Sequence, residues 1–127
     1  MKEEARKLLE KAQRALHAAE VLMRSGDVEF AAGRAYYAMF HAAQALLREK
    51  DLRYRKHARV HAAYGQHFAK SGVLDPKYHR WLLDAFDERL RSDYEVEVSF
   101  DPESVARWIE QAREFLEAAR RYLEGSA

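Results

Sequence analysis

Residues 33 to 47 read GRAYYAMFHAAQALL. As a helix this stretch is apolar on nearly every side, and such a helix is buried around most of its circumference rather than along one stripe. It must sit among other elements, so the rest of the chain has to supply neighbours that surround it. Yet the stretch carries Arg34 and His41. A helix turns about 100° per residue, so a spacing of seven brings the second side chain within about 20° of the first, two turns on. The two polar groups share a face, with Tyr37 and Ala38 between them and Gln44 and Arg48 beyond.

The neighbours are also helices. Residues 3 to 24 place Ala5, Leu8, Leu9, Ala12, Leu16, Ala19 and Met23 at steps of three and four, with Lys, Arg and Glu between them. Ser25-Gly26 is a stop signal, and Asp27 is placed to cap the apolar helix, which should run to about Lys50. DLRYRKHA lacks periodicity and reads as a loop. HARVHAAYGQHFAK follows as a short helix, weakened by Gly65 and ending at Ser71-Gly72. Asp75-Pro76 and Asp101-Pro102 each read as a cap followed by a first helical residue. The helices they open bear apolar faces that include Tyr78, Trp81, Leu82 and Phe86 in one, and Trp108, Ile109, Phe115 and Leu116 in the other; these aromatic residues are expected in the core. DYEVEVSF alternates like a strand but has no partner strand, so it is expected to be an extended connection, and GSA a loose end. The predicted architecture is all-α, an up-and-down bundle of four main helices plus one short helix. Residues 1–127 suffice for a single domain with one core. Alanines at 31, 32, 35, 38, 42, 43 and 45 allow close approach of neighbours.

Composition removes several function classes. With no cysteine there is no disulfide, thiolate metal site or cysteine nucleophile, which agrees with a cytoplasmic protein. The start, MKEEARKLLEK, is too charged for a secretory signal, and no apolar run approaches the roughly 20 residues that span a bilayer. No membrane association is expected.

Net charge is +1, which argues against a protein that coats itself in nucleic acid. Charge is unevenly spread, however. Between residues 48 and 61 six Lys or Arg stand against Glu49 and Asp51, whereas between 84 and 103 eight acids stand against Arg89 and Arg91. The basic segment can be a rim of phosphate contacts, with Arg48 and Lys56 as binding candidates and Tyr54 able to stack on a base; it can equally be a solvated loop. His57 and His61 lie one turn apart, but no carboxylate follows at a useful spacing, so no metal and no cofactor is expected.

Arg34 and His41 are the sharpest candidates. A lone helical histidine is most often a satisfied structural residue. A guanidinium cannot be buried unpaired, and no carboxylate lies one turn from Arg34 on its own helix. It must pair with an acid on another helix such as Asp87 or Glu88, face water, or face an anion. Along one helix Arg34 and His41 are about 10.5 Å apart. Two copies packed antiparallel about a two-fold axis could bring Arg34 of one chain near His41 of the other. Such a pair suits a phosphodiester, with histidine moving a proton and arginine stabilising the phosphoryl oxygens, while Tyr37 orients or binds substrate.

GRAYYAMFHAAQALL, the basic KHARVH, LRSDYEV and the closing SVARWIEQAREFLEAARRYLE together resemble a small single-domain HEPN protein over essentially the whole chain. The most diagnostic element is an arginine and a histidine separated by four to six residues, here Arg34 and His41. The resemblance implies an all-α bundle that forms a homodimer around the motif helix and, in active members, metal-independent RNA cleavage. It also implies a role as the toxin-like partner of a nucleotidyltransferase antitoxin. In nuclease members the residue after the arginine is commonly polar, whereas here it is Ala35; a tyrosine two residues after the histidine, modified by the partner in some relatives, is replaced by Ala43, leaving Tyr94 as the nearest accessible tyrosine. Three readings therefore stand side by side: an endoribonuclease using Arg34 and His41, a non-catalytic module binding RNA, a nucleotide or a partner, and a structural bundle.

Overall fold

The structure, a computed structural model, describes residues 1–125. Five helices follow one another: α1 (Glu3–Arg24), α2 (Val28–Glu49), α3 (His57–Tyr64), α4 (Lys77–Tyr94) and α5 (Pro102–Leu123). A π-helical turn, Gly65–Ala69, continues α3. No strand occurs among the described residues, and the 95–101 connection is irregular, with Val96 fully exposed. The loose end expected at GSA falls mostly outside the described residues.

The apolar helix is central, as its composition requires. α2 packs against α1, α3, α4 and α5, and its alanines let α1 lie close along its length. Tyr36, Met39, Phe40, Leu46 and Leu47 enter the main core, where they meet Val60, Tyr64, Phe68, Leu82 and Phe115. The interior is not one body of side chains. Ala19, Ala31, Ala32 and Ala35 join Phe100, Val105 and Ile109 in a second, smaller cluster. Leu16 packs against both clusters. The alanine seam explains the division: methyl groups bring helices together but fill little volume between them. Trp81 and Trp108 are half-buried at the margins rather than central, Trp108 edge-on to Phe100 at 5.8 Å between ring centroids.

Turn chemistry follows the expected punctuation, except that neither Asp27 nor Asp101 caps its helix through its side chain. Gly26 adopts φ 89° beyond α1 and Gly72 φ 77° beyond the π turn, conformations that favour glycine. Asp75 Oδ1 accepts the Lys77 N–H at 2.9 Å, so the Asp-Pro pair does open α4. Asp27, expected to cap α2 with its side chain, forms no side-chain cap there; its carboxylate accepts the Ser25 hydroxyl at 3.1 Å, and only its backbone carbonyl receives a helical N–H, from Ala31. Gly65 lies within the helical segment as expected, but the continuation it opens is π-helical. The Lys70 N–H reaches back five residues to the Gly65 carbonyl at 2.8 Å. The His79 ring lies so close that a Cβ on residue 65 would stand 2.6 Å from its Cε1. Glycine is there to admit the ring.

Candidate functional site

Position 34 is one of the few exposed places on α2, and the guanidinium that occupies it finds no carboxylate. Among the described residues Arg34 forms no ion pair; Glu88, an acid it might have met, is held by Arg91 at 2.9 Å. Instead Arg34 Cζ lies 4.8 Å from the centroid of the Tyr37 ring, a cation-π contact that a three-residue step on a helix allows. A second guanidinium reaches the same ring from α4: Arg89 Cζ is 5.2 Å from the Tyr37 centroid. Arg89 is tied to Asp93 one turn on, at 3.0 Å. These side chains border a cavity of about 190 Å³ whose wall also includes Leu22, Phe30, Gly33 and Ser92.

His41 lies one turn beyond Tyr37, ring centroids 5.8 Å apart. It is half-buried, and burial is the main cause that lowers its pKa; the positive charges of Lys11 and Arg34 act the same way, against the Gln44 hydrogen bond. Nδ1 donates to Gln44 Oε1 at 3.0 Å. The hydrogen of the neutral ring is therefore on Nδ1, and Nε2 carries a free lone pair. At neutral pH this imidazole is a base rather than a cation.

Behind this face is a polar triad in which Tyr36 and His61 are buried and His57 half-buried. The Tyr36 hydroxyl stands 2.6 Å from His57 Nδ1 and 2.9 Å from His61 Nε2. With one hydrogen it donates to one imidazole and accepts from the other; because it meets Nδ1 of His57 and Nε2 of His61, the two neutral rings hold the same tautomer. His57 is stacked on Phe40 at 4.3 Å between centroids and lies 5.9 Å from Tyr37, at the inner edge of the site. Burial depresses both histidines, His61 to about 4, and raises the Tyr36 phenol. All three are neutral at pH 7. One nitrogen of each imidazole is thus engaged by a hydroxyl, and no group of three or more potential metal ligands occurs among the described residues.

Of the sequence-predicted set, Arg34, Tyr37 and His41 line up along one face of α2, with His41 outside the cavity lining, and the remaining two lie elsewhere. Arg48 lies two further turns along α2, where Glu4 accepts from it at 2.9 Å and from Arg53 at 2.7 Å. Lys56 is exposed just before α3, next to His57. Tyr54 is half-buried and packs on the main core, whereas Tyr94 is 80% exposed at the end of α4. Two participants escaped the sequence reading. Arg89 sits in a segment notable only for its acids, and the i,i+4 pair with Asp93 was its only local signal. His57 was weighed only as a metal ligand.

Comparison with known proteins agrees with this architecture. The HEPN domain matches residues 5–124. The chain is 32% identical over 122 residues to "Putative toxin MJ0142" of Methanocaldococcus jannaschii, a match covering 96% of this chain and 83% of that protein. A second protein of the same archaeon, "Putative toxin MJ0605", is 32% identical over 124 residues, covering 98% and 92%. A "UPF0332 protein" of Thermotoga maritima is 33% identical over 114 residues, covering 90% of this chain and 86% of its own length. With the motif helix at the centre of an all-α bundle and the domain match spanning nearly every residue, the chain belongs to the HEPN domain family.

Proposed function

We propose that this protein is the toxin-like member of a pair completed by a nucleotidyltransferase antitoxin, and that it works in the cytoplasm as a homodimer. Arg34 of one copy and His41 of the other then form a composite site that cleaves RNA without a metal ion. The observation that carries this reading is Arg34 itself: on a helix otherwise mostly buried, it stands exposed at a cavity, and among the described residues no carboxylate pairs with it. The toxin names of two archaeal relatives support the biological half. No helix among the described residues is long and apolar enough to cross a membrane.

The chemistry fits the groups present. His41 Nε2 takes the proton of a ribose 2′-hydroxyl as that oxygen bonds to phosphorus. The bond from phosphorus to the 5′-oxygen breaks, and the leaving oxygen takes a proton from solvent, giving a 2′,3′-cyclic phosphate and a 5′-hydroxyl. Arg34 donates to the non-bridging oxygens, whose charge grows in the transition state. Tyr37 orients Arg34, while Lys56 and Arg48 contact flanking phosphates, Arg48 after release from Glu4.

Incubation of RNA with the purified protein in EDTA tests this reading. Cleavage by the wild type and a loss of about 100-fold or more in both Arg34→Ala and His41→Ala are expected. Intact RNA with the wild type ends the catalytic reading. RNA binding that persists without cleavage and disappears in Arg34→Ala would support the second reading, a non-catalytic module. Ala35 favours that alternative: the residue beside Arg34 is a buried methyl group in the smaller cluster and brings no polar atom to the site.

A further inference from the structure

Two guanidiniums from different helices converge on one aromatic ring, Arg34 from α2 at 4.8 Å and Arg89 from α4 at 5.2 Å. Each is attracted to the ring, and each repels the other. Asp93 pairs with Arg89, and among the described residues no carboxylate pairs with Arg34. One unit of positive charge is left facing the cavity. Both guanidiniums line the same cavity, and an anion there that accepts from both would offset the repulsion; a phosphate has the oxygens to do so. Ser92, on the same wall, has its hydroxyl only loosely engaged, 3.5 Å from Glu29 Oε1.

The rest of the wall is apolar. Phe30 is 61% exposed although it belongs to the most buried helix, and Leu22 lies beside it in the cavity lining. An exposed ring next to a cationic pair is the arrangement in which a base can stack while its phosphate is held.

We propose that Arg34 and Arg89 form a phosphate clamp across Tyr37, and that Phe30 and Leu22 receive the attached base, so that the cavity binds one nucleoside monophosphate unit. This deepens the reading above and rests on it for the phosphate being that of RNA; the clamp itself needs no cleavage. Arg89 is then a substrate-binding residue and Asp93 a brake on it.

The test is calorimetric titration at low ionic strength with two probes, inorganic phosphate and adenosine 5′-monophosphate. Arg34→Gln and Arg89→Gln should each weaken phosphate binding about tenfold or more. Asp93→Asn, which frees Arg89, should strengthen it severalfold. A merely structural Arg89 would not give opposite signs in those two variants, and Asp93→Asn keeps the test decisive if Arg89→Gln folds poorly. Phe30→Ala should leave phosphate binding unchanged and abolish the extra affinity of the nucleotide. No phosphate binding by the wild type, or equal binding by Arg89→Gln, overturns the clamp; a nucleotide that binds no tighter than phosphate overturns the base-stacking wall. Arg89-dependent phosphate binding in a protein that leaves RNA intact would keep the clamp and remove the nuclease. Full cleavage by Arg89→Gln would do the reverse.

Discussion

Tyr36 and His57 meet at 2.6 Å through a hydroxyl and Nδ1, and this contact ties the central helix to the edge of the candidate site. The same oxygen serves His61 on its other side. Removing it leaves two imidazole nitrogens without their partner in a largely apolar setting, a loss of about 1 to 3 kcal/mol for a buried polar group left unsatisfied. Tyr36→Phe should lower the urea unfolding midpoint accordingly, with an unchanged m-value. Unchanged stability would mean that the triad is solvated and not a structural tie.

Acid should destabilise this protein through its histidines. His61 titrates near 4 in the folded chain against an ordinary value of 6.5, because burial penalises its charged form. The unfolded state binds the proton more readily, so stability rises with pH between the two values: the contribution is complete above 6.5 and is lost as pH falls toward 4. That interval corresponds to about 3 kcal/mol from His61 alone. His57 and His41 are shifted in the same direction. Urea unfolding at pH 7 and pH 4 measures the drop, which should shrink in His61→Gln; an equal drop in that variant would exclude His61 as its source.

Gly65 offers a test in which helix propensity and packing oppose each other. Alanine is favoured over glycine in a helix by about 1 kcal/mol. Its Cβ, however, would stand 2.6 Å from the His79 ring, whose Nε2 donates to the His61 carbonyl at 3.1 Å. Overpacking of this kind costs about 1 to 3 kcal/mol. Gly65→Ala should therefore destabilise the protein, while in a His79→Ala background the same change should be neutral or stabilising. A double-mutant cycle with no coupling would refute the proposed contact.

Arg34 and Arg48 lie two helical repeats of seven apart, and their surroundings predict different outcomes. Among the described residues no carboxylate pairs with Arg34, so Arg34→Ala should move thermal stability by no more than about 0.5 kcal/mol. Arg48 holds Glu4 and has a buried Nε, so Arg48→Ala should be the more destabilising change. Differential scanning calorimetry of the pair decides it. A large loss in Arg34→Ala would return the residue to a structural role.

What could be read from the chain depended on whether the signal was local. Arg34, Tyr37 and His41 stand at steps of three and four within one helix, so their common face followed from helical geometry alone. The central position of α2 followed from its lack of a polar side. Arg89 reaches the same place from α4, and no pattern in the sequence gives the angle at which that helix crosses α2. The Tyr36 triad was illegible for a related reason: three side chains separated by 21 and 25 residues meet only once α3 is docked. The packing role of Gly65 was not legible because propensity weighs a residue against its own helix, whereas its neighbour here is a ring from another. The divided core was hidden by counting alanines as apolar without asking what volume they fill.

Between Tyr64 and Lys70 the backbone winds more loosely than an α-helix, and the added slack sets the angular phase of the side chains within and beyond it. Phe68 is wholly buried and stacks on Tyr64 with ring planes 12° apart. Shortening this turn by one residue, even at exposed Gln66, would swing Phe68 by about 100° and take its ring off that partner. The surface of this segment is therefore open to replacement, while its length is fixed.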